Sequence, residues 1–292
     1  MSGVLEFALV VVALGAALPY VLGPVLVRWR QRESAEPVFE PYDERTGALG
    51  ADLAAALESS IRALEPEGFH HVADLFHAYR TSETLLRLVL LEYAETGAVA
   101  VAVAARGTNP KAPLRFTFVE FAVRFSDERT FSVQNSPQPV VYAPHPAKLT
   151  EWLPEVRDPA RLWRVFRELL RRRYASFARQ RVDVADPAGL MVTALLREYR
   201  QQVETGYLWH DRSVDAFRPT WRGAWRMTWK LLPPMSQVRR WRAQRHATRL
   251  LRELSLEGPD PRPVPVGVLR DPMRWNFALL IGALVLLWVT RS

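Results

Sequence analysis

The chain contains no cysteine among its 292 residues. This removes disulfides, thiolate metal ligands and thiol nucleophiles from the chemistry open to it. Other motifs are missing as well. There is no G-x-S-x-G, no P-loop, no G-x-G-x-x-G and no H-E-x-x-H, so the common nucleophile, phosphate-cradle, dinucleotide and zinc-protease designs are not written in the sequence. No internal repeat or sustained heptad occurs. No recognition-helix, zinc-finger or nucleoprotein-sheet signature appears, and no nucleic-acid partner is expected. Lysine is scarce where basic charge is densest: Lys230 is the only lysine among the 22 basic side chains between residues 152 and 255.

Long apolar runs, by contrast, are present. Phe7 to Val27 reads FALVVVALGAALPYVLGPVLV without a charge, and Arg28, Trp29, Arg30 and Arg32 follow. At about 1.5 Å per residue the run reaches roughly 31 Å, enough for a hydrocarbon core of about 30 Å. Residues 1–32 are therefore expected to form a transmembrane anchor with a basic foot, bent at Pro19, Gly23 and Pro24. The leader has no Lys or Arg and the apolar core is long, which argues against a cleaved signal peptide. A second run, Trp275 to Thr290, covers about 24 Å. Trp275 and Trp288 sit near its ends, so residues 271–292 are expected to be a C-terminal transmembrane helix, with a buried core helix as the alternative. The basic flanks Arg28, Arg30, Arg32 and Arg274 place both termini across an inner (plasma) membrane and residues 28–274 in the cytoplasm.

Charge is unevenly placed. Residues 28–151 hold 13 basic and 17 acidic side chains, whereas residues 152–255 hold 22 basic and 10 acidic. An Arg-rich block beside an anchor suits anionic lipid head groups, at about 1 kcal/mol per basic residue near the surface. A merely solvated face is the other use of such a block.

Between the runs the chain divides by pattern. Residues 33–47 are polar with two prolines and read as a linker. Residues 48–154 read as an α+β domain. Leu49, Leu53, Leu57, Ile61 and Leu64 make one helical stripe. Then come strand-like runs with a turn at Glu95-Thr96-Gly97 and clear alternation in residues 115–125, predicting an antiparallel meander of four or five strands with the helix on one face. Five prolines in residues 135–154 predict a connection without a strand. Residues 155–257 read as an Arg-rich helical region, with Asp158-Pro159 and Asp186-Pro187 as helix starts. Residues 258–270 read as a proline-rich linker. The fold class expected is thus α+β, with a cytoplasmic sheet, a helical second half and a transmembrane helix at each end.

One segment stands out, PTWRGAWRMTWKLL at 219–232. At helical spacing Trp221, Trp225 and Trp229 share one face, and Arg222, Arg226 and Lys230 the adjacent one. Indoles beside cations suit a helix lying in a membrane interface or facing a partner. Packing of the indoles on the sheet is the alternative. For catalysis the candidates are histidines. His71 and His77 share a strand face and His145 sits between prolines. No metal site and no cofactor is expected. The function expected is a non-enzymatic, membrane-anchored accessory or scaffold protein that lies against the lipid bilayer and binds a membrane protein partner. The alternatives are a ligand sensor, or an enzyme using a histidine acid–base group on an anionic or membrane-derived substrate.

Overall fold

The computed structural model describes residues 2–43, 49–79, 84–107, 115–138 and 141–258. Helix α1 (Ser2–Arg30) leads into two short strands, β1 (Glu33–Ser34) and β2 (Glu40–Pro41), and then helix α2 (Ala51–Leu64). A 3-10 turn, Glu65–Glu67, continues it, and Gly68 closes that turn in the left-handed region at φ 94°, where a residue without Cβ is unstrained. The meander β3 (His70–Tyr79), β4 (Thr84–Tyr93), β5 (Ala98–Gly107), β6 (Arg115–Phe125) and β7 (Thr130–Gln134) follows, then β8 (Lys148–Trp152). Helix α3 (Pro159–Arg173), strand β9 (Arg179–Gln180), helix α4 (Pro187–Glu204), strands β10 (Leu208–Asp211) and β11 (Ala216–Pro219), and helices α5 (Trp221–Leu231) and α6 (Met235–Glu253) complete the order.

The main sheet runs β2-β3-β4-β5-β6-β7-β8, with β9 on β6. Both of its faces are covered, which is why β4 and β5 read as nearly continuous apolar runs. On one face Val89, Leu91, Phe121, Val133 and the fully buried Ala98, Ala100, Ala102 and Ala104 pack under residues of α2, α3 and α6. On the other, Leu75, Leu88 and Val103 meet Met191, Val192 and Leu195 of α4. Trp163 of α3 sits at the centre of the first layer. Its ring lies 4.7 Å from Phe69, 5.0 Å from Tyr93 and 5.3 Å from Phe121.

Two features depart from the sequence reading. Strand β8 lies in the proline-rich stretch and pairs with β7 in parallel, Thr130 opposite Lys148. It fits between Pro146 and Pro154, where every residue keeps its N–H. A three-stranded sheet, β1-β11-β10, also runs through the region read as linker and helix. Glu33 pairs with Phe217 and Ser34 with Ala216. The Tyr199 hydroxyl donates to the buried Glu33 carboxylate at 3.0 Å.

The expected membrane crossing is corrected. Among the described residues no helix is long and apolar enough to cross a membrane. The fold is mixed α+β, with six helices among the described residues. Helix α1 has Pro19 and Pro24 inside it, and its second half is engaged by the protein. Tyr20 lies edge-on to Trp229 at 5.1 Å, Gly23 abuts Thr228, Pro24 is buried, and Val27 packs beside Tyr199, Tyr207 and Phe217. The twelve residues from Phe7 to Leu18, ahead of Pro19, would reach only about 18 Å, well short of a hydrocarbon core. The inner-membrane location and the cytoplasmic assignment of residues 28–274 rested on that crossing and fall with it. Arg274, the second apolar run and residues 259–292 as a whole lie outside the described residues.

Candidate docking face

Helix α5 is set by its start. The Thr220 hydroxyl donates to the Gly206 carbonyl at 2.7 Å and accepts from the Gly223 amide at 2.9 Å, an N-cap that fixes the helix phase. Gly223 then lies so close to the preceding loop that a Cβ there would stand 2.0 Å from the Tyr207 carbonyl oxygen. Only glycine allows this approach. With Gly223, Ala224, Met227 and Thr228 buried, the helical period turns the tryptophans outward. Trp221 is 54% exposed, and Trp225 and Trp229 are each 47% exposed.

Helix α1 carries a second exposed apolar stripe, on the side turned away from α5. It packs along α5 through Gly23 on Thr228 and Tyr20 on Trp229, and its outer side leaves Leu18, Val21, Leu22, Leu26 and Trp29 exposed. At 100° per residue these five fall within an arc of about 140°. Trp241 of α6 is also exposed, with the Arg245 guanidinium 3.7 Å from its ring centre. Large exposed apolar patches of this kind mark interaction surfaces.

The cations beside the tryptophans divide. Arg222 and Arg226 are exposed, and Arg226 lies 5.6 Å over the Tyr207 ring. Lys230 turns inward. Its ammonium donates to the Val141 and Tyr142 carbonyls at 2.8 and 2.7 Å and sits 4.9 Å from the Tyr207 ring. Burial, with Arg239 and Arg226 nearby, lowers its pKa to about 8. Lys230 therefore pins α5 to the 141–142 segment, while the two arginines face solvent. Of the other basic residues after the first run, Arg30 and Arg32 are exposed and Arg28 lies over the Trp209 ring at 5.4 Å.

The candidate histidines do not come together. His71 is exposed at the start of β3, next to the register shift between His71 and Ala73. His77 is buried. It stacks on Phe39 at 4.5 Å, with Nδ1 2.7 Å from the Val38 carbonyl oxygen, and burial lowers its pKa. It borders a cleft of about 670 Å³ that Glu33, Glu36 and Glu40 also line. His145 takes a latch position. Nδ1 accepts from the Ala147 amide at 3.2 Å, so Nε2 carries the proton toward Glu204 at 3.0 Å and ties this loop to α4. Among the described residues no group of three or more His, Asp or Glu side chains could hold a metal ion.

Sequence reasoning missed several contributors to this region. The stripe on α1 reads in sequence as lipid-embedded, Thr220 carries no sequence signal as the cap that orients α5, and Gly223, whose lack of a side chain permits close approach by another helix, lies instead against the Tyr207 carbonyl. The pairing of β1 with β11 was missed because two-residue strands carry no periodic signal. Comparison with protein-family models, curated proteins and solved structures returned no match.

Proposed function

We propose that this protein is a non-catalytic accessory module that docks on an anionic lipid surface through the face built by α1 and α5. The observation that carries the reading is the stripe of half-exposed Trp221, Trp225 and Trp229 on α5, with the exposed apolar stripe of α1 as a second apolar surface. Indoles suit the boundary between acyl chains and head groups, where one end of the ring is apolar and the other wet. The solvent-facing Arg222 and Arg226 and the Arg-rich section around them supply the complementary charge. Such a helix pair lies in the plane of the interface and need not cross it. The α+β body is then held at the surface, where it can meet other components.

The test is cosedimentation with vesicles of phosphatidylcholine containing phosphatidylglycerol, and with phosphatidylcholine alone. The wild-type chain is expected to bind the anionic vesicles, and the triple variant Trp221→Ala, Trp225→Ala, Trp229→Ala to lose most of that binding. Equal sedimentation of the two chains refutes the reading. Retention of a protein partner by the wild type alone, with no vesicle binding, reassigns the face to protein recognition.

A further inference from the structure

At the end of α1 lies a cluster with more hydrogen-bond donors than acceptors. Trp209 on β10 is directly opposite Arg218 on β11, and Asp211 is two residues along the same strand, so all three share one face of the hairpin. Arg218 Nη1 donates to Asp211 Oδ2 at 2.9 Å. The other oxygen of Asp211 accepts from the Ser213 hydroxyl at 2.6 Å and the Ser213 amide at 3.2 Å, so three donors already share this carboxylate. Arg28 is laid over the Trp209 ring at 5.4 Å, and no carboxylate pairs with it among the described residues. Four buried atoms here have no hydrogen-bond partner: Arg28 Nε and Nη1, Arg218 Nε and Trp209 Nε1. Each is an N–H donor.

Two guanidiniums with one carboxylate leave a surplus positive charge, and unpartnered buried donors are costly. Burial and the neighbouring Arg218 both lower the Arg28 pKa, while Asp211 opposes them. An acceptor-rich anion would relieve both strains. Neither arginine is sealed: the Arg218 side chain is 19% exposed and Arg28 is half-buried, although the four unpartnered atoms themselves are buried. We infer that Arg28, Arg218 and Trp209 form a binding site for a phosphate group. A planar guanidinium pairs with phosphate through two parallel hydrogen bonds, and the indole N–H adds a third kind of donor. Trp29 and Leu26, neighbours of Arg28 on α1, are 66% and 51% exposed and belong to the docking stripe. The phosphate therefore comes either from a lipid head group at that boundary or from a free phosphate ester. The first source rests on the docking reading, and the second does not.

The experiment compares wild type, Arg28→Gln and Arg212→Gln. Arg212 lies on the exposed turn of the same hairpin, so its variant matches the change in charge without touching the cluster. Affinity is read from thermal shift with glycerol phosphate and from cosedimentation with phosphatidylglycerol-containing vesicles. Arg28→Gln is expected to weaken both about tenfold, the loss of one charge-assisted bidentate contact, and Arg212→Gln no more than about twofold. Arg28→Lys keeps the charge without the fork and should fall between them, which guards against a folding defect in the glutamine variant. Equal losses in Arg28→Gln and Arg212→Gln, or no loss in Arg28→Gln, overturn the site. Wild-type binding of glycerol phosphate without vesicle binding supports the site with a free ester and refutes the docking reading. Vesicle binding unchanged in Arg28→Gln while glycerol phosphate binding weakens assigns the site to a free ester, and both unchanged refute the site and leave the docking reading standing.

Discussion

Two sets of tryptophans occupy helices of similar amphipathic pattern and meet opposite fates. Trp163 on α3 is fully buried among Phe69, Tyr93, Phe121 and Phe166, while Trp221, Trp225 and Trp229 on α5 are about half exposed. The difference lies in what each helix spends on its neighbours. Helix α3 faces a sheet with Leu162, Val165, Phe166 and Leu169, and its indole fills the space between Phe69, Tyr93 and Phe121. Helix α5 meets its neighbours through Gly223, Ala224, Met227 and Thr228, small or narrow side chains that bring backbones close and leave no room for an indole. A glycine-led contact therefore drives the large residues outward, whereas a leucine-led contact draws one in.

The largest effect that tests this contrast is Trp163→Ala. Removing a fully buried indole is expected to cost about 3–5 kcal/mol, whereas Trp221→Ala or Trp225→Ala should change stability by no more than about 0.5 kcal/mol. Denaturant unfolding followed by far-ultraviolet circular dichroism measures all three. A cost for Trp225→Ala comparable with that of Trp163→Ala would erase the distinction between the two regions.

Gly223→Ala probes the contact itself. The added methyl would press on the Tyr207 carbonyl, a backbone atom that cannot rotate away, so α5 must shift. A loss of about 1–3 kcal/mol is expected, typical of overpacking. Tryptophan fluorescence should change with it, because three of the ten indoles sit on the displaced helix. An unchanged unfolding midpoint would show that the approach of α5 to the 206–207 loop is looser than the structure gives.

How much of this was legible in the residues depends on what each apolar residue faces. The stripe of α2, the alternation of β6 and the Asp-Pro helix starts are local patterns, and these elements form there. The apolar run of residues 7 to 27 reads as a membrane span because hydropathy does not say what the apolar neighbour is. Tyr20, Gly23, Pro24 and Val27 meet protein, a fact that depends on α5 some 200 residues away. The tryptophan stripe was visible as a stripe, but its outward direction follows from Gly223 and Thr228 rather than from the indoles. The cluster of Arg28, Trp209 and Arg218 was not visible at all, since it requires both the β10–β11 register and the docking of α1 on that hairpin.

The smallest effect concerns Lys230, the residue that ties the exposed region back to the body. Its folded pKa of about 8 lies below the ordinary lysine value of 10.5, so the folded state releases this proton at lower pH than the unfolded chain does. Between pH 8 and 10.5 the unfolded state binds more protons, and stability from this group rises with pH across that window. Below pH 8 both states carry the charge and the cost of burying it is present in full. The neutral amine still has N–H bonds for the Val141 and Tyr142 carbonyls, so the α5 attachment persists as the charge is lost. Other groups titrate in the same range, and the difference between wild type and Lys230→Met isolates this one. Relative to the variant, the wild type should gain stability from pH 8 to pH 10, measured as the change in urea midpoint. A constant difference across those pH values would mean that the ammonium is as well solvated as that of a surface lysine, and that the α5 end of the molecule is open to water on both of its sides.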